Sequence, residues 1–105
     1  MIKNFIQKKG DALSFRITYL FDVQIDSMEF GVKTDYSDED FKILKTIGNG
    51  ITKVDFRNFV VNVSSSEMDK LNIETYVYDV RTRSSATIKT PLSGKIIIRE
   101  SVFNG

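Results

Sequence analysis

Leu13-Ser14-Phe15-Arg16-Ile17-Thr18-Tyr19-Leu20-Phe21 is the stretch whose reading decides the fold class. Leu13, Phe15, Ile17, Tyr19 and Phe21 are apolar, and Ser14, Arg16 and Thr18 between them are polar. Successive side chains of a strand point to opposite faces, so this spacing puts all five apolar groups on one face of one strand. A helix would scatter them around its circumference. Gly10-Asp11 immediately before reads as the turn that launches the strand.

The same period of two recurs along the chain. Met28, Phe30 and Val32 alternate with Glu29, Gly31 and Lys33, and Phe41 and Ile43 flank Lys42. Phe59, Val61 and Val63 form the next clear alternation, followed by Tyr76, Tyr78 and Val80. Residues 86–89 and 94–102 read as two further strands, with Pro91 in the turn leading into the last one. Ile47-Gly48-Asn49-Gly50 and Arg83-Ser84-Ser85 read as turns. Only residues 64–71 break the pattern: serine caps, an acidic first turn and a spacing of three between Met68 and Leu71 suit one short helical turn near residues 65–71.

About seven short strands and almost no helix predict an all-β domain. The expected form is an antiparallel β-sandwich with Greek-key connections, and a small barrel is the competing all-β solution. Leu71 followed five residues later by Tyr76 resembles the tyrosine corner of Greek-key sandwiches, with Tyr78 as the competing tyrosine. Residues 1–105 read as a single domain, with short tails at about 1–8 and 101–105 that order only in an assembly.

Composition narrows the chemistry. The chain has no Cys, so disulfides, thiolate nucleophiles and Cys-ligated metals are excluded. It has no His, which removes imidazole bases and His-ligated zinc. A net charge of +1, with basic residues dispersed, predicts no nucleic-acid partner. The first nine residues lack the apolar stretch of a signal peptide, and no run reaches membrane-spanning length, so no membrane association is expected.

Several segments together resemble a known family. The stretch 5–15, with Gly10-Asp11 before a hydrophobic strand, is one of them, and Gly48-Asn49-Gly50-Ile51-Thr52 is another. Tyr76-Val77-Tyr78-Asp79-Val80, followed by Leu92-Ser93-Gly94-Lys95, is the most specific. Their order and spacing over residues 5–103 resemble the immunoglobulin-like domain at the N-terminus of phage baseplate upper proteins, also found in small stand-alone phage and prophage virion proteins. The chain departs from that family at Asn72-Ile73-Glu74-Thr75, where a Pro-Gly or Gly-rich turn is usual. The resemblance implies an immunoglobulin-like sandwich in a tail, baseplate or neck component, assembled in the host bacterial cytoplasm. Other virion proteins and further copies of the chain would be its partners, with no enzymatic activity and no cofactor. Gly10, Asp11, Tyr76, Tyr78, Asp79 and Gly94 are the shared positions; the glycines would supply turns, and Asp11 and Asp79 would accept backbone hydrogen bonds at strand edges.

The alternative function is a carbohydrate- or cell-surface-binding module for host attachment, which asks for exposed aromatics along one sheet face; the absence of Trp counts against it. Phe5, Tyr36 and Phe103 fall outside the clear alternations and are the candidate interface anchors, whereas most of the other phenylalanines read as core. Asp35, Asp38, Glu39 and Asp40 fail the EF-hand pattern and read as a solvated turn rather than a calcium site. No carboxylate pair is marked out for glycoside hydrolysis. Lys45 and Lys53 around Gly48-Asn49-Gly50 lack the spacing and following helix of a phosphate-binding loop.

Overall fold

Alternating burial runs through almost every strand of the computed structural model, which describes residues 1–103. The elements are β1 (Phe5–Lys8), β2 (Leu13–Thr18), β3 (Ser27–Lys33), β4 (Ile43–Ile47), β5 (Gly50–Lys53), β6 (Asn58–Val63), α1 (Ser65–Met68), β7 (Thr75–Ser84) and β8 (Thr87–Arg99). Hydrogen bonding orders the strands β1-β8-β7-β3-β4-β5-β6-β2. The ribbon turns its corner at the β4–β5 junction, a parallel pairing of only Thr46 with Gly50 and Ile47 with Ile51.

β1 and β2 lie at opposite ends of that order, yet the rings of Phe5 and Phe15 are 5.0 Å apart. The ribbon therefore folds back on itself, and β1-β8-β7-β3-β4 face β5-β6-β2 across a shared core. The closure is made by side chains: among the described residues no hydrogen-bonded ladder joins β1 to β2. This is a sandwich, not a barrel.

The core is apolar and continuous. Phe30, Met28 and Val32 of β3, Tyr76, Tyr78 and Val80 of β7, and Leu92, Ile96 and Ile98 of β8 line one wall. Leu13, Ile51, Phe59, Val61 and Val63 line the other, with Met68 and Leu71 closing one end. Four rings bridge the layers: Phe5, Phe15, Phe30 and Tyr78 sit in consecutive pairs with centroids 5.0–5.6 Å apart. Pairs at such distances contribute about 0.5–1.5 kcal/mol each beyond their buried area.

Several expectations are corrected. The strand count of about seven comes out as eight, with details changed: β1 and β5 are added, and the two predicted C-terminal strands merge into the thirteen-residue β8. Pro91 lies within β8, where the β7 register slips between Val80 and Thr82, and a bulge tolerates its missing N–H. Residues 1–8 are not a loose tail. β1 pairs in parallel with β8, and Ile2 bridges Ser93. At the other end, residues 104 and 105 of the expected 101–105 tail lie outside the described residues.

The alternation from Leu13 to Phe21 also ends early. β2 stops at Thr18, and Leu20 and Phe21 are 84% and 76% exposed. Phe41 precedes β4 and turns outward, so it does not share the inward face of Ile43. Half of the eight phenylalanines, namely Phe21, Phe41, Phe56 and Phe103, are exposed rather than core.

The helical turn forms where the serines predicted it. Ser64 caps α1 by accepting the Glu67 N–H at 3.3 Å, and Met68 is its buried residue.

Candidate protein-interaction face

The outer face of the β3–β7–β8 layer is built from the residues between the core positions. On β3 these are Glu29, Gly31 and Lys33, and on β7 they are Val77, Asp79 and Arg81. Register sets them side by side: Gly31 pairs with Asp79, Glu29 with Arg81 and Lys33 with Val77. Gly31 supplies no side chain, and the Phe41 ring occupies that space, so a Cβ at position 31 would collide with it. The Lys33 ammonium sits 4.7 Å from the Phe41 ring centroid and donates to the Asp38 carbonyl at 2.7 Å. Leu44 and Tyr36, the latter 62% exposed, complete a groove of about 240 Å³.

The groove's charges are unevenly satisfied. Arg81 donates to Glu29 at 2.9 Å. The Asp79 carboxylate makes no hydrogen bond or ion pair among the described residues, and desolvation against its neighbours raises its pKa above the usual range. The expectation that Asp11 and Asp79 accept backbone hydrogen bonds is thereby corrected. Asp11 takes part through its N–H, which donates to the Lys8 carbonyl at 3.0 Å. Ser93, opposite Asp79 in the register, gives its N–H to the Met1 carbonyl at 3.1 Å.

The remaining expected positions are architectural. Tyr76 Oη accepts the Asn72 N–H at 2.7 Å, four residues upstream, with Leu71 buried beside the connection. Tyr78 Oη donates to the Lys3 carbonyl at 2.6 Å instead. Gly10 holds φ +85° in the β1–β2 turn. Gly94 is not in a turn but within β8, where the backbone of Lys3 approaches so closely that a Cβ would strike its carbonyl.

Of the three expected anchors, Phe5 is half-buried against the core, its ring packed between Phe15 and Tyr78. Phe103 is 92% exposed at the C-terminal end, away from the groove lining. Tyr36 alone joins the groove. Phe41, Leu44 and Gly31 escape the sequence reading as site residues, because that reading sets Phe41 in one alternation with Ile43 and Gly31 in another with Phe30 and Val32.

A second apolar surface lies at one end of the sandwich. The 19–26 loop carries the exposed Leu20 and Phe21, and the 54–57 loop carries Phe56. The two loops are tied by Tyr19 and Val23 N–H groups donating to the Arg57 and Phe56 carbonyls, and by an Arg57–Asp22 ion pair at 2.8 Å.

Lys45 and Lys53 do not form a shared site. Lys45 is buried and pairs with Glu67, its stem lying over Gly50, while the Lys53 ammonium sits 4.2 Å from the Phe56 ring centroid. In the acidic loop the Asp35 N–H donates to Asp38 Oδ2 at 3.2 Å. Among the described residues no group of three or more acidic side chains is placed to hold a metal ion.

The two-layer order, with β1 switching to pair in parallel with β8, defines an immunoglobulin-like β-sandwich. Among solved structures the chain is similar to the NK cell receptor NKp44, a triggering partner in natural cytotoxicity, with 13% identity, a TM-score of 0.52, and 94% of this chain and 99% of that one covered. It is also similar to CD84 of the SLAM family, with 14% identity, a TM-score of 0.46, and 96% and 100% covered. No protein-family model matches the chain, and no curated protein matches it.

Proposed function

We propose that the protein is a non-enzymatic structural component of a bacteriophage or prophage virion, a tail, baseplate or neck module that works by protein–protein assembly. It would be put together in the host bacterial cytoplasm and carried in the particle. The observation that carries the assembly reading is the outer-face groove: Tyr36, Phe41 and Leu44 present apolar surface on a sheet face that no other described element covers. Exposed apolar surface of this kind is the mark of a binding face. The order of the Gly10-Asp11, Tyr76-Val77-Tyr78-Asp79 and Leu92-Ser93-Gly94-Lys95 segments supports the virion setting by family resemblance.

A carbohydrate-binding role would need open ring faces in a row. The Phe41 ring rests on Gly31 with Lys33 against it, leaving only Tyr36 freely presented in the groove. Assembly is the stronger reading.

The test is mass spectrometry of particles purified from a host producing the virus that encodes this chain. The unaltered chain is expected in the particle at fixed stoichiometry, and Phe41→Ser is expected to reduce its incorporation. Particles that lack the chain would overturn the virion role.

A further inference from the structure

We infer that the outer-face groove recognises an arginine side chain presented by a partner protein, with Asp79 as its counter-charge. The inference rests on the assembly reading and names the chemistry of the contact.

The groove's charged side chains balance in number, two acids and two bases, and the one left without a contact is an acid, which calls for a cation. Four ionisable groups line it besides the tyrosines: Glu29, Lys33, Asp79 and Arg81. Glu29 and Arg81 neutralise each other at 2.9 Å. Lys33 keeps its charge but directs its ammonium to the Asp38 carbonyl and the Phe41 ring rather than to a carboxylate. Asp79 is left as the one ionisable side chain lining the groove, besides the tyrosines, with no hydrogen bond, ion pair or ring contact among the described residues, flanked in register by Gly31 and Ser93, neither of which offers it a cation. Its raised carboxyl pKa reflects partial desolvation, a cost that an incoming cation offsets.

Size and wall chemistry select arginine. A space of about 240 Å³ is small for a peptide segment and suits one long side chain. Its aromatic walls, Tyr36 and Phe41, favour a flat cation, and Phe41 already attracts the Lys33 ammonium. A guanidinium can stack on the exposed Tyr36 ring while donating two hydrogen bonds to one carboxylate, which a lysine ammonium does not match.

The experiment titrates acetyl-Gly-Arg-Gly-amide, and its citrulline counterpart, into the ¹⁵N-labelled full chain, following amide shifts by NMR. Citrulline keeps the shape and removes the charge. The arginine peptide is expected to shift Gly31, Val77 and Asp79 saturably. The citrulline peptide should bind at least about fivefold more weakly, the factor that about 1 kcal/mol of ion pairing sets. Asp79→Asn, at an exposed position, should retain the wild-type spectrum elsewhere and erase the discrimination.

Equal binding of both peptides, shifts confined to other regions, no saturable binding, or unchanged discrimination in Asp79→Asn would each overturn the inference. Self-association of the free chain that Asp79→Asn abolishes would assign the groove to a second copy and overturn it too. If Phe41→Ser impairs incorporation into particles while Asp79→Asn does not, arginine recognition fails and the assembly reading stands.

Discussion

The phenol of Tyr78 donates a 2.6 Å hydrogen bond to the carbonyl of Lys3, 75 residues away in the chain. The same ring packs against Phe5 and Phe30, so one side chain fastens the N-terminal segment to the sheet and helps join the two layers. Burial, with the Asp79 charge adding to it, pushes the phenol up to about 12.

Tyr78→Phe keeps the ring and removes the bond. The expected loss is about 1 kcal/mol, the net worth of a hydrogen bond of this kind. For a domain of about 100 residues that lowers Tm by about 4–8 °C. Hydrogen exchange should show faster opening of β1 amides than of β6 amides, and unchanged protection of β1 would refute the tether. The raised phenol also sets an alkaline dependence. Its stabilising effect is complete below the unfolded tyrosine value of 10.0 and is lost as pH rises toward about 12. Tyr19 and Tyr76 are raised as well, so Tyr78→Phe should flatten this decline without abolishing it.

Gly94→Ala attacks the same junction from the other strand. An added Cβ would strike the Lys3 carbonyl, and the neighbouring Lys95 N–H would lose its bond to Asn4 Oδ1, now 3.0 Å, as the segment moved away. The expected cost is about 1–3 kcal/mol, the range for overpacking against backbone. Urea unfolding measures it, and a midpoint equal to wild type would show that the approach of Lys3 is not needed.

The strands, the sandwich and the helical turn at Ser65–Met68 were legible because they depend on local periodicity and caps. β1 was not, since Phe5-Ile6-Gln7-Lys8 is too short to alternate convincingly, and its pairing with β8 spans some 90 residues. Phe21 and Phe41 misled for one shared reason. Period-two spacing fixes a face only while the strand lasts, and β2 ends at Thr18 whereas β4 begins at Ile43. The groove was half legible. Tyr36 was singled out, but the contact of Phe41 with Gly31 joins a loop to a neighbouring strand and leaves no spacing signature.

Tyr76→Phe tests the corner. The Asn72 N–H loses its acceptor at 2.7 Å while Leu71 and the ring keep their packing. The expected destabilisation is about 1–2 kcal/mol, because a partly buried donor is left without its protein partner. The change should appear as a shift in denaturation midpoint at constant m-value. A midpoint within error of wild type would make Tyr76 merely an inward ring.

Glu67 gives the acid dependence its sign. Its hydrogen bond to the Lys45 ammonium holds its carboxyl below the ordinary 4.5; desolvation opposes the shift, and Ser64 reinforces it. A carboxyl depressed in the folded state stabilises the fold above the unfolded value, and that contribution disappears as pH falls through the folded one. Stability should therefore decline from about pH 4.5 downward. Lys45→Met preserves the aliphatic stem that lies over Gly50 and removes only the charge. Glu67 is 35% exposed and can turn to water, so the variant should lose little at pH 7. Its decline toward pH 3 should be shallower than wild type, though not absent. Asp55, lowered by the Arg57 N–H and the Asn58 side chain and backbone, titrates in the same direction. Urea unfolding of both proteins at pH 7 and pH 3 measures the difference, and parallel losses would show that the Lys45–Glu67 pair does not carry the acid sensitivity.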